Sequence, residues 1–461
     1  MRAFSFVPVG VLLAVAPLVA VVAWVTTRVI DEHEAACVTT CFMGGVLLEL
    51  LLHRLSRHSL GAAIRVDHFA IVAHQHSAPA FLRDYIRIAS TLPLHARANM
   101  PGKVLLYHAL ELLTRSDEVL GALVVLISAL GGLLVYGTVK KLLDERRVAL
   151  AAMILYFVLP ARISFLTSLN TVTPVLALGL LLLALRYLDT RAWPYAAAIG
   201  LLLYVTALFD PAGLAPIPLF VAIAVWHGRR RRLPRPRLRA AALPLAAFAL
   251  AYVAMRWGVG FDLWQGLRHV AKDSATFNRH ARPHYQAWLL PNLREFFVNT
   301  GWVLSLLAVV CLAQVVGNAL GGRRLRPATL VEPAVFLSVA LLAEVALLDL
   351  MGINRGEVSR LWLFTAVFLP MIAAIACAQL PSWMLHVVLA STLMQAIFTA
   401  WLVQLDFVGF YDIARKPLLF HGTFILDAWA LMFVAFVLGW SMLAGRARRA
   451  PPSTGISSAS V

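Results

Sequence analysis

Asp67-His68-Phe69, Phe81-Leu82-Arg83-Asp84-Tyr85 and His95-Ala96-Arg97-Ala98-Asn99-Met100-Pro101-Gly102-Lys103 stand in one stretch, which closes on the short apolar run Val104–Leu113. The stretch is too polar to sit in lipid and too aromatic for a disordered linker. It therefore reads as a folded loop, in a chain whose remaining segments are mostly apolar.

Composition supports that setting. The 461 residues are 61% hydrophobic with a mean hydropathy of +0.80, against about 45–50% apolar residues in soluble domains. The expected fold class is all-α, a polytopic membrane protein. A formal net charge of +17 on a soluble face would suggest nucleic acid. Here Lys and Arg cluster in short loops between apolar runs, so they set topology beside anionic headgroups, and no nucleic-acid partner is expected.

A bilayer-crossing helix needs about 20 mostly apolar residues. Such runs lie at residues 6–27, 119–138, 148–167, 171–188, 194–209, 212–227, 240–257, 300–319, 328–350, 361–378, 382–403 and 424–444, twelve in all. The first is long for a signal peptide and lacks a small-residue cleavage site, so it reads as a retained helix. Threading the twelve alternately puts the basic groups Lys140–Arg147, Arg229–Arg239, Arg323–Arg326 and Arg446–Arg449 on one side. That side is cytoplasmic, with both termini.

Residues 37–52 carry Glu49 and run into His53 and Arg54, and read as a helix lying at the interface. Counted as a span, they would raise the total to thirteen and put the N-terminus outside. The expected organisation is residues 1–118 as a first helix with a large extracytoplasmic loop and interfacial helices, 119–257 as spans, 258–299 as a second outer loop, 300–446 as C-terminal spans and 447–461 as a disordered tail. Cys37, Cys41, Cys311 and Cys377 lack the partners of a metal site and read as membrane-core thiols.

Chemistry is expected on the outer side, where the loops hold His, Arg and carboxylates. The loop 258–299 adds Tyr285 and Trp288, aromatics that can stack on sugar faces or belong to the interfacial belt. Met351–Arg360 forms a tight polar turn with Asn354, Arg355, Glu357 and Arg360.

A long first outer loop, ending in His95 and Pro101-Gly102 ahead of the helix Leu133-Leu134-Val135-Tyr136-Gly137-Thr138-Val139-Lys140-Lys141-Leu142-Leu143, resembles the membrane glycosyltransferases of the GT-C superfamily. These include protein O-mannosyltransferases and bacterial aminoarabinose transferases. Their first outer loop often holds an acidic residue and a His-x-Pro-Pro-Gly-like segment. The resemblance covers roughly residues 60–190, and the turn Gly352–Trp362 is similar to a Gly-Glu-x-x-Arg segment of related bacterial proteins. The chain departs from the pattern at Asn99-Met100, and at Asn170, where an Asp is common.

The resemblance implies a bacterial cytoplasmic-membrane enzyme that takes a sugar from a polyprenyl-phosphate donor and passes it to a lipid, glycan or protein acceptor. Such transfer needs a carboxylate to deprotonate the acceptor and cations to hold the leaving phosphate. Asp67 is the first candidate base, Asp84 the second, and Asp31 and Glu32 follow the first helix where the superfamily often keeps its acid. Arg97, Lys103, Arg355 and Arg360 are candidate phosphate ligands, with His95 as a donor, and Asn354 and Glu357 can meet sugar hydroxyls. No cofactor is required by these residues, although a lone carboxylate with phosphate oxygens can hold a divalent metal. Two other classes fit a polytopic chain: a transporter or lipid flippase, and a non-catalytic protein of the same fold. The spans hold few charges, with Glu344, Asp349 and Asp427 near expected helix ends, which favours the enzyme.

Overall fold

Two of the basic loops meet at one end of a helical bundle. Arg230 donates to the Leu142 carbonyl at 3.1 Å, Lys141 pairs with Asp189, and His227 lies 2.9 Å from the same Asp189. This arrangement comes from a computed structural model, which describes residues 26–54, 59–66, 68–233, 241–281, 284–320, 333–381 and 383–402, together with scattered positions between 15 and 24. All of them belong to one compact unit, residues 1–408. The expected span 424–444, the basic groups at 323–326 and 446–449, the residues 235–239 and the tail lie outside the described residues, as does most of the run 6–27.

Among the described residues every regular element is helical. In chain order these are α1 (Glu34–His53), α2 (Leu60–Val66), α3 (Phe69–Gln75), α4 (Ala78–Ile88), α5 (Leu94–Arg97), α6 (Gly102–Glu111), α7 (Asp117–Leu143), α8 (Arg146–Phe157), α9 (Pro160–Ser164), α10 (Thr173–Thr190), α11 (Trp193–Phe209), α12 (Ile217–Arg230) and α13 (Ala242–Val253). After a π-helical turn, Ala254–Val259, come α14 (Leu263–Ala281), α15 (Gln286–Asn299), α16 (Trp302–Leu320), α17 (Pro333–Met351), α18 (Val358–Leu361), α19 (Leu363–Ala366), α20 (Phe368–Cys377) and α21 (Trp383–Leu402).

Among the described residues seven segments are long and apolar enough to cross a membrane: residues 34–53, 117–143, 146–164, 169–190, 211–230, 242–259 and 333–351. An eighth is reached if α15 and the start of α16, bent by 111° at Thr300-Gly301, count as one. Three shorter apolar helices, 193–209, 363–377 and 383–397, match further expected runs. The expected run 424–444 and most of 6–27 lie outside the described residues, and the rest of the shortfall is these three shorter helices and the bent pair. Pro160 and Pro211 each open a new turn after a helix ends, because proline supplies no N–H to continue the ladder.

The reading of residues 37–52 is corrected. α1 runs antiparallel to α7 and packs on α7 and α8, and its Glu49 is fully buried, where an interfacial helix would turn its polar groups to water. Gly45 and Gly132 let α1 and α7 close on Phe157: a Cβ at Gly45 would sit 2.4 Å from that ring.

α7 is 27 residues long, about 40 Å at 1.5 Å per residue, and separates two chemically different ends. At the basic end Glu34 meets Lys140, Arg146 and Tyr136, and Asp31 meets Arg147 at 2.7 Å. The opposite end, here the loop end, holds α2–α6, where Arg65 pairs with Asp117. α6 does not simply lie on the membrane, since Lys103, Val104, Tyr107 and Leu110 are buried. Phe81, Tyr85, Met100, Tyr107 and Phe261 form the core that fastens this layer to Tyr204–Phe209 and Leu263.

Candidate functional site

Lys103 is the centre of the loop-end geometry. Gly102 places α6 directly on the end of α11: a Cβ there would stand 2.6 Å from the Leu208 carbonyl oxygen. That approach carries Lys103, 2% exposed, onto Asp210 at 3.3 Å. Its ammonium also donates to Asn99 Oδ1 at 2.8 Å and stands 5.9 Å from the Phe69 ring centroid.

Asp210 ends α11 and accepts from the Ala212 N–H at 3.2 Å, shaping the turn Pro211–Leu214, while Thr173 Oγ1 donates to its Oδ2 at 2.8 Å. Asn99 is held in turn. Its Nδ2 donates to the His95 carbonyl at 2.8 Å, and Tyr85 donates to the Asn99 carbonyl at 2.7 Å. Burial, with Asp273 nearby, pushes the Tyr85 phenol up from its ordinary value, so it stays a donor. Asn99, where the chain departs from the pattern by an Asn in place of a His, thus links the loop backbone to Lys103.

A second polar group surrounds the 351–360 turn. Gly352 and Gly356 adopt left-handed φ values of 62° and 81°, and Glu357 does so at 59°. The Tyr285 ring presses on Gly352, where a Cβ would lie 2.6 Å away. Asn292 organises the turn: its Nδ2 donates to Asp349 Oδ1 and the Asn354 carbonyl, both at 3.0 Å, and its Oδ1 accepts from the Gly356 N–H at 2.8 Å. Trp362 Nε1 donates to Asn354 Oδ1 at 2.9 Å. Arg360 and Glu357 pair at 2.8 Å. Glu295 Oε1 accepts from the Ser359 N–H and hydroxyl at 3.1 and 2.8 Å. Burial raises the Glu295 carboxyl above its ordinary value while those two donors pull it down. The two groups share one neighbourhood, because α18 and α19 pack on the turn Leu169–Thr171 that leads into Thr173.

The other expected residues are placed differently. Asp67 lies outside the described residues. Asp84 is in a surface pair with Arg87 at 3.0 Å, one turn along α4. Asp31 and Glu32 stand at the basic end, away from the loop layer, because α1 returns through the bundle. Arg97 pairs with Asp273 at 3.3 Å and joins the two outer segments. Arg355 lies over the Tyr285 ring at 5.7 Å. The Tyr285 hydroxyl donates to the Leu350 carbonyl at 2.6 Å, a commitment to backbone rather than to a ligand. Trp288 is half-buried on α15. Among the described residues no group of three or more His, Cys, Asp or Glu is arranged to hold a metal.

Sequence reasoning missed Asp210, Thr173, Asn292 and Glu295. The signal for Asp210 was present in Asp210-Pro211-Ala212-Gly213, a capped turn between two apolar runs. The expectation of spans almost free of charge is also corrected. Arg162 and Glu49, both essentially unexposed, pair inside the bundle. Arg162 donates to Ser128 Oγ at 3.0 Å and lies 4.3 Å over the Tyr156 ring. Glu344 is interior to α17, twelfth of 19 residues, and not near its end.

A cavity of about 350 Å³ opens at the basic end among Leu143, Glu145, Val148, Arg230, Pro333, Ile375, Ala378 and Gln379. Compared with known proteins, the chain matches no family model and no curated protein sequence, so the resemblance rests on the residues quoted above.

Proposed function

We propose that the protein is a membrane glycosyltransferase of GT-C type, with the loop end on the extracytoplasmic side of a bacterial cytoplasmic membrane and the basic end in the cytoplasm. The observation that carries the reading is Lys103, drawn under α5 and α6 against Asn99, Asp210 and Thr173. A buried ammonium of this kind suits the phosphate of a polyprenyl-phosphate sugar, whose tail enters from the lipid. Arg360 and Glu357, across the Leu169–Thr171 turn, suit the leaving group and a sugar hydroxyl.

In the transfer, a carboxylate takes the proton of an acceptor hydroxyl on a lipid, glycan or protein. The acceptor oxygen bonds to the anomeric carbon as the bond to phosphate breaks, and polyprenyl phosphate leaves with the electron pair. Asp67 is kept as base, so Asp67→Asn abolishes transfer without affecting insertion. Lys103 is 2% exposed, so the α5–α6 layer must lift for the phosphate to enter. The remaining expected spans, to a total of twelve, or thirteen with α1, belong to this reading, as does a divalent metal shared with the phosphate.

The test is retention of polyprenyl phosphate against uncharged polyprenol by the purified protein in lipid nanodiscs, followed by release of polyprenyl phosphate from sugar-bearing donors when acceptor is added. Equal retention of both lipids and no turnover across a donor panel would overturn the reading. The second reading, a transporter or flippase, is favoured by the Arg162–Glu49 pair and by Glu344, since ionisable groups inside spans mark transport pathways.

A further inference from the structure

Glu344 is the one carboxyl among the described buried residues with neither oxygen hydrogen-bonded. It is 3% exposed, and among the described residues it has no ion-pair partner. The elements packed on α17 explain why. α16, α19 and α20 contain no Asp, Glu, Lys, Arg or His. α12 carries His227, Arg229 and Arg230 at the basic end, where His227 faces Asp189. α15 carries Arg294 and Glu295, the latter bound to Ser359.

An isolated carboxylate in such surroundings is far costlier than the neutral acid. A metal cation would need several ligands around it, and among the described residues no cluster of three or more His, Cys, Asp or Glu includes it. A proton needs only the carboxyl itself. Seven residues, about 10 Å of helix, separate Glu344 from Met351 at the loop end, and eleven separate it from Pro333. Two helices packed on α17 also hold buried hydroxyls without partners, Ser305 on α16 and Thr365 on α19. Orphaned polar oxygens on neighbouring helices are places where water enters a span.

We propose that Glu344 is a membrane-embedded proton site, held as the neutral acid inside the bundle and exchanging its proton with water from the loop end. The inference is independent of the transferase reading. The experiment is infrared difference spectroscopy of the purified protein in lipid, wild type against Glu344→Gln, in H2O and after overnight transfer to D2O. The expected result is a carbonyl stretch of a protonated carboxylic acid that is absent from Glu344→Gln and moves to lower frequency in D2O. No band lost in the variant would show an ionised group, and a lost band unmoved in D2O would show a sealed, structural acid; either overturns the proposal. Glu344→Asp, which keeps the acid, must retain a band at altered frequency, so the test does not depend on how well the Gln variant assembles.

Discussion

Lys103 and Asp210 face one another where water barely reaches either, and that decides what their loss does. Removing one member of a buried ion pair strands the other and costs about 3–5 kcal/mol, whereas replacing both by apolar groups is far milder. Lys103→Met should therefore lower the unfolding midpoint in detergent strongly, and Lys103→Met with Asp210→Leu should recover much of the loss. A double variant no better than the single one would mean that Asp210 serves Thr173 and the Ala212 N–H rather than Lys103. His108, on α6, gives a pH prediction. Burial holds its imidazole below the ordinary value of 6.5, against the pull of Glu111 and with His74 and His76 also near. The unfolded chain then binds more protons below that value, so the stability His108 contributes is complete above pH 6.5 and falls as pH drops. His108→Gln should flatten the acid limb of a plot of midpoint against pH between about 7 and 5. Lys103 and Arg360 were legible as cations in polar segments. Glu357, the partner of Arg360 three residues back, was legible as well, but Asp210 was not, because it is remote from Lys103 in sequence and only the packing of helix ends brings it in.

At the scale of elements, α11 and α13 approach one another closely at Gly200. A Cβ at Gly200 would stand 2.1 Å from the Pro244 carbonyl oxygen and 2.7 Å from the Ala247 Cβ. Small residues at such crossings allow backbone approach that lipid-solvated helices depend on. Gly200→Leu should separate α11 from α13 and, through Asp210 at the end of α11, loosen Lys103. The readout is faster deuterium uptake at the amides of α6; unchanged uptake would uncouple the two. Apolar run length anticipated six of the seven segments that, among the described residues, are long and apolar enough to cross a membrane, since 20 residues of Leu, Val and Ala leave few alternatives. It failed for α1 because Glu49 looked like a surface residue, and its justification, Arg162, lies 113 positions away. It also ran through the break at Pro160, where the expected run 148–167 becomes a helix plus a short second turn.

For the whole molecule, the two-ended charge pattern makes sidedness measurable. All four cysteines are buried, so cysteines introduced at exposed positions report against a quiet background. A membrane-impermeant thiol reagent applied to intact cells should modify Arg87→Cys and leave Glu145→Cys, both exposed, until the membrane is opened. Modification of both from outside would break the separation of ends. The basic-loop threading foresaw that Lys140–Arg147 and Arg229–Arg232 share an end, because positive charge counts loops regardless of how helices pack.

The Arg162–Glu49 pair also has a consequence in time. A chain made from its N-terminus completes α1 long before Arg162 exists, so Glu49 enters the membrane with no counter-charge and must wait at the lipid boundary or in the insertion machinery. The burial of Glu49 is then a property of the finished chain alone. Chains stopped before Arg162 should leave α1 extractable by alkali, and chains extended past α9 should hold it fast.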